Sequence, residues 1–87
     1  VSTMPVVTVR YFGAARAATG RHEEAVPVRA GDTVAQVVSA IGGRHGERMA
    51  DLLQRCSFLL DEMAVTSRRC QVAHLSTLDV LPPFAGG

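Results

Sequence analysis

The sequence predicts an α+β fold in which one main helix crosses one face of a mixed β-sheet. Three observations carry this expectation. Short alternating apolar runs near both ends of the chain have the period of strands, and a segment near the middle has the period and the start signal of a helix. The order of the elements is strand, strand, helix, short helix, then three more strands. In that order the last strand can return beside the first through a right-handed crossover and lie parallel to it.

Met4 to Phe12 is the first strand: Val7, Val9 and Tyr11 face the core, while Thr8, Arg10 and Phe12 face away. Gly13 to Arg21 is an alanine-rich linking segment with room for one helical turn, ended by Thr19-Gly20. Glu24 to Arg29 is the second strand, with Val26 and Val28 on one face. Pro27 has no N–H for a ladder, so this strand belongs at a sheet edge. Thr33-Val34-Ala35-Gln36 fits a capping box, and behind it Val34, Val37, Val38 and Ile41 fall at i, i+3, i+4 and i+7 on one helical stripe. Gly42-Gly43 is expected to stop that helix. Met49, Leu52, Leu53 and Cys56 repeat the spacing in a short second helix. Ser57 to Leu60 and Met63 to Thr66 are short strands about an Asp61-Glu62 turn, and Ser67 to Leu75 is irregular. Leu78 to Leu81 is the last strand, with Leu78 and Val80 inward and Asp79 and Leu81 outward. This arrangement is that of the β-grasp, or ubiquitin-like, fold.

The chain of 87 residues forms one domain, divided here into a folded part, 1–81, and an extended, flexible tail, 82–87. Nine basic and eight acidic residues give a formal charge of +1, without a basic stretch that would hold nucleic acid or a membrane by charge. The layout of a signal peptide is missing, and a cytoplasmic location is expected. Cys56 and Cys70 have neither the spacing of a metal site nor that of a redox motif. Cys56 is expected in the core, and His22, His45 and His74 at the surface. All nine basic residues are arginine, so chains linked through a lysine of this protein are excluded.

The tail Pro82-Pro83-Phe84-Ala85-Gly86-Gly87 carries the functional signal. At a glycine frequency of about 7%, a terminal Gly-Gly arises by chance in roughly one chain in two hundred. Glycine has no Cβ, so Gly86 and Gly87 can enter a slot too narrow for a side chain. The two prolines favour an extended exit at about 3.1 Å per residue. A carboxylate becomes an acyl donor only when activated, for example by adenylation. This chain has no P-loop, no lysine and no nucleophile–base constellation with which to activate it. The chain is therefore expected to be the substrate of an activating enzyme, with no catalytic residue and no bound cofactor or metal of its own.

Three segments resemble carriers of the MoaD/ThiS type: Val9-Arg10-Tyr11-Phe12-Gly13-Ala14-Ala15-Arg16, Ala30-Gly31-Asp32-Thr33-Val34, and Asp79 to Gly87 with its P-P-x-x-G-G ending. The resemblance runs from Val6 to Gly87 and is strongest to the small subunits of molybdopterin synthase. It implies that an adenylyltransferase related to ubiquitin-activating enzymes consumes ATP to form an acyl-adenylate at Gly87. A persulfide donor then converts it to a thiocarboxylate. The tail enters the large synthase subunit, within a heterotetramer, and gives sulfur to cyclic pyranopterin monophosphate. The resemblance makes Gly87 the sulfur-carrying terminus and Gly86 its slim neighbour. It also places Phe12 and Leu81 at a partner interface and points Arg16 toward the activating enzyme. Ala17 stands where an acidic residue is frequent, Ser76-Thr77 where Gly-Asp is frequent, and Asp61-Glu62 where a glycine turn is frequent, which implies a longer or looser turn. Carriers for thiazole or cysteine synthesis, ubiquitin-like protein modifiers and a plain interaction domain are the alternatives.

Overall fold

The computed structural model describes residues 4–83. Among them the elements are β1 (Val6–Tyr11), α1 (Gly13–Thr19), β2 (Glu23–Pro27), α2 (Val34–His45), α3 (Glu47–Leu53), β3 (Ser57–Leu60), β4 (Met63–Ala64) and β5 (Thr77–Leu81). The five strands form one sheet in the order β2-β1-β5-β3-β4. β1 and β5 are parallel and the other pairs antiparallel, which gives the mixed sheet of a ubiquitin-like β-grasp fold. β2 lies at one edge, where Pro27 leaves no inner ladder bond unmade. No helix among the described residues is long and apolar enough to cross a membrane.

The strand phases match the expectation. Val7, Val9, Tyr11, Leu78 and Val80 are fully buried on the helix-covered face, joined by Val26 and Phe58. Val34, Val37, Val38 and Ile41 of α2 and Met49 and Leu53 of α3 close the core from the other side. Burying a side chain of this size contributes about 1.5–3 kcal/mol, so this one seam supplies most of what holds a small domain together. α2 begins as predicted: the Thr33 hydroxyl accepts from the Gln36 N–H, and the Gln36 side chain accepts from the Thr33 N–H at 2.7 Å.

Several local expectations are corrected. The segment after β1 forms a seven-residue helix, α1, closed by Gly20 at φ 70°, because Ala15 has a core position to fill. Gly42-Gly43 does not stop α2, which runs on to His45 and ends at Gly46, φ 98°. Gly42 serves packing instead. A Cβ built there would stand 3.2 Å from Cβ of Ala50, so its absence lets α3 lie close against α2. α3 ends before Cys56, which is buried in the following turn and donates its S–H to the Leu52 carbonyl at 3.2 Å. Burial pushes the Cys56 thiol pKa up, consistent with an inert core sulfur. β4 is only two residues long. Asp61-Glu62 makes a tight two-residue turn, both residues at positive φ (48° and 70°), because the Leu60–Met63 pairing leaves no room for a looser one. Asp61 supports it by exchanging hydrogen bonds with the Thr77 backbone, N–H to carbonyl at 2.8 Å and carboxylate to N–H at 2.9 Å.

His45 is not a surface residue. Its ring is tucked beneath the sheet edge with the side chain 13% exposed, edge-on to Tyr11 and in contact with Glu24. Glu24 is the buried hub of this group: it accepts from the Tyr11 hydroxyl at 2.6 Å and from Arg44 at 2.7 Å. Burial alone would raise the Glu24 pKa. The hydrogen bonds from Tyr11, Arg44 and His45 outweigh it and hold the pKa at about 2. Burial and the bond to Glu24 push the Tyr11 phenol up, so it stays a donor.

Two predictions follow from these packings. The Glu24 pKa is lower in the fold than its ordinary value of 4.5, so its stabilisation is complete above that value and is lost as pH falls toward 2. Thermal melts of the wild type and Glu24→Gln should therefore differ by about 3 kcal/mol at neutral pH, and the gap should close between pH 4.5 and 2. The second concerns the turn before β5. There the left-handed position falls on Leu75, φ 70°, directly ahead of Ser76-Thr77, with the side chain 69% exposed. Leu75→Gly relieves that strain without opening the core and should stabilise the domain by about 0.5–1 kcal/mol, a rise in Tm of roughly 2–8 °C.

Candidate functional site

β5 is the central strand of the sheet, bonded to β1 on one side and β3 on the other. It continues without a turn into Pro82-Pro83, so the tail begins at a strand paired on both sides. Parallel pairing sets the C-terminal ends of β1 and β5 side by side, with Tyr11 opposite Val80. Phe12, the residue after β1, is extended at φ −125° and begins α1, while Leu81 pairs with Ser57 across to β3.

These residues enclose a notch of about 560 Å³ lined by Phe12, Gly13, Ala14, Ser57, Leu81, Pro82 and Pro83. Its wall is mostly apolar: Phe12, Leu81 and Pro82 are each half-buried, and Pro83 is exposed. Gly13, φ 50°, lets the chain leave the strand and enter α1 directly under the Phe12 ring. Two guanidinium groups flank that ring, Arg10 at 5.8 Å and Arg16 at 5.9 Å from its centre. Such stacking contributes about 0.5–1 kcal/mol at an exposed site. Arg16 also donates to the Tyr11 carbonyl at 3.3 Å, which turns its side chain back over Phe12.

The opposite sheet face carries Thr8, Arg10, Ala25, Leu59, Thr77, Asp79 and Leu81. Asp79 points outward as its strand phase requires, yet it is only 5% exposed, because Arg10 lies across it in the adjacent register position. The contact is bidentate, Nε to Oδ1 at 2.6 Å and Nη2 to Oδ2 at 2.8 Å. The hydrogen bond to Asp79 and its charge hold the Arg10 pKa above its ordinary value, with Glu23 and Glu62 adding from farther away.

Of the residues singled out in the sequence, Phe12, Leu81, Pro82 and Pro83 meet in one notch, and Arg16 stacks at its rim. Phe84, Ala85, Gly86 and Gly87 lie outside the described residues. Sequence reasoning missed Gly13 and Ser57 as walls of the notch, and it missed the Arg10–Asp79 pair. Opposite charges at two outward strand positions were the signal for the pair, but only the β1–β5 register makes them neighbours. Among the described residues no group of three His, Cys, Asp or Glu side chains could hold a metal ion.

The fold recurs in solved structures. A protein provisionally assigned as molybdopterin converting factor subunit 1 from Pyrococcus furiosus superposes with a TM-score of 0.82 at 22% identity, covering 92% of this chain and 99% of that one. SAMP1 from Haloferax volcanii gives 0.79 at 21% identity, over 94% and 99% of the two chains. A complex of subunits 1 and 2 of molybdopterin-converting factor from Helicobacter pylori contains a chain that gives 0.67 at 20% identity, again over 94% and 99%. Among curated protein sequences, none matches significantly. The family model described as ThiS family matches residues 9–87, from the middle of β1 through the tail to Gly87. The chain belongs to the ThiS family.

Proposed function

We propose that this chain is the sulfur carrier subunit of a molybdopterin synthase, and that Gly87 is its working group. The observation that carries this reading is the direct run of the central strand β5 into Pro82-Pro83 beside the Phe12–Leu81 notch, within a family match that includes the Gly-Gly end. Pro82 and Pro83 stiffen the start of the tail where it leaves β5, and the terminal glycines offer no side chain to obstruct a narrow site.

The chain contributes a carboxylate and a handle. An adenylyltransferase would join the Gly87 carboxylate to AMP from ATP, releasing pyrophosphate. The terminal sulfur of a persulfide would then attack the Gly87 acyl carbon and expel AMP. A thiol would cleave the resulting acyl disulfide, leaving the thiocarboxylate on Gly87 and a disulfide on the donor. The thiocarboxylate would then be presented to the large synthase subunit, where catalysis resides, and its sulfur transferred to cyclic pyranopterin monophosphate. Two such transfers complete the dithiolene, so each carrier returns for recharging. The notch and its arginine rim are the surface for these partners: Phe12 and Leu81 as apolar contacts, Arg16 toward the activating enzyme. The described residues contain no constellation for the chemistry itself. A subunit from the H. pylori complex shares the fold, which supports a large-subunit partner.

A second reading is favoured by the likeness to SAMP1, a small archaeal modifier protein: Gly87 ends as an amide on another protein. The intact mass of the protein isolated from its own cells separates the two. A gain equal to the exchange of one oxygen for sulfur, abolished by deletion of Gly87, is the expected result. An unmodified mass together with branched conjugates would replace the carrier by the modifier. Phe12→Ala should leave the melting behaviour near that of the wild type, since the ring is half-buried outside the core. It should lower the thiocarboxylated fraction by about tenfold, the loss typical of removing an aromatic anchor from an interface.

A further inference from the structure

The Arg10–Asp79 pair stands beside the tail root: neither residue is in the core or lines the notch, and Arg10 reaches the notch only by flanking the Phe12 ring. Asp79 and Leu81 are two residues apart on the same face of β5, a separation of about 7 Å. A stable protein partner covers about 800 Å² of each surface, a patch roughly 16 Å in radius. A patch of that size centred on the tail root therefore covers the pair.

Both Asp79 oxygens are occupied by Arg10, and the aspartate side chain is 6% exposed. Arg10 is different: its side chain is 42% exposed, and only Nε and Nη2 are bonded. A guanidinium has five N–H donors, so three remain, two of them on Nη1. Among the described residues Asp79 is the one carboxylate in ion-pairing contact with Arg10. Covering those donors with apolar surface would strip their water and return nothing, a strong penalty for a charged group.

We propose that Arg10, fixed by Asp79, is a specificity-determining residue for the enzyme that activates Gly87. That enzyme presents an oxygen acceptor, a backbone carbonyl or a carboxylate, to Arg10 Nη1, and a partner with an apolar surface at that point is rejected. The inference rests on the carrier reading of Gly87.

The test separates recognition from folding. In the double variant Arg10→Asp with Asp79→Arg, the ion pair is kept with its polarity reversed, so an acceptor on the partner meets an acceptor. In Arg10→Leu with Asp79→Leu, the pair is replaced by apolar packing and the partner's acceptor is left unmatched. Each variant is expressed in the source organism in place of the wild type, its melting is recorded, and the thiocarboxylated fraction at Gly87 is measured by intact mass. Both variants should melt cooperatively and show loading reduced by about tenfold or more. Wild-type loading in either folded variant would reduce the pair to a structural role and overturn the proposal. An unloaded wild type would instead bring down the sulfur-carrier reading, and this proposal with it.

Discussion

The parallel pairing of β1 with β5 is the constraint on which the rest of the molecule depends. It joins two segments some seventy residues apart in the chain, Thr8 to Thr77 through Tyr11 to Val80, in the middle of the sheet. Such contacts are slow to form, because the intervening chain must first be closed by the crossover helices. Once formed, the pairing sets three things at once. It buries Val9 against Leu78 and Tyr11 against Val80, it lays Arg10 across Asp79, and it brings Phe12 beside Leu81 where the tail begins. A register slip of one residue would turn the buried valines outward and dissolve the notch with them.

The Glu24 group protects that constraint from the edge side. β2 is an edge strand with a proline, and among the described residues β1 is its only sheet partner. Tyr11, Arg44 and His45 converge on Glu24 and so tie β2, β1 and the end of α2 together by hydrogen bonds where apolar area is scarce. Every acceptor in a buried group of this kind has to be met, and among the described residues no buried side-chain polar atom is left without a partner. Tyr11 is thus held at both ends: its ring in the core and its hydroxyl by Glu24. Its carbonyl is held as well, bonded to Arg16, which reaches over Phe12.

Much of this was legible in the sequence where one local rule acts alone. Alternation set the inward faces of β1 and β5, the capping box set the start of α2, and Pro27 placed β2 at an edge. Glycine was ambiguous because it serves two opposite purposes. Gly42 reads as a helix stop, but it is a site of close helix contact, and the stop falls on Gly46. The turn at Asp61-Glu62 was legible in its place but not in its form: its tight positive-φ geometry, like the left-handed Leu75, runs against the preference of the residues themselves. Phe12, Leu81, Pro82 and Pro83 could be singled out because the tail and the strand ends are sequence features and the resemblance marks Phe12 and Leu81; that they share one notch is a finding of the structure. The Arg10–Asp79 pair was not, because it exists only through the pairing of distant strands.

A carrier that is recharged after each transfer must be recognised and then released. An apolar notch at the tail root gives contact area without direction, and extending it over the sheet would strengthen binding to every partner alike. The ion pair beside it acts otherwise. A desolvated charge pair adds little net affinity, because solvent is lost as contacts are gained, but it penalises a mismatched surface heavily. Placing Arg10 and Asp79 next to a small notch therefore limits affinity and sharpens choice together. On the carrier reading the tail follows the same logic: Pro82 and Pro83 would reduce the entropy lost on insertion, and the glycines that follow would offer almost no side-chain contact to delay withdrawal. On the proposed function, selectivity resides in the rigid sheet and reactivity in the terminal glycine, and β5 is the element that joins them.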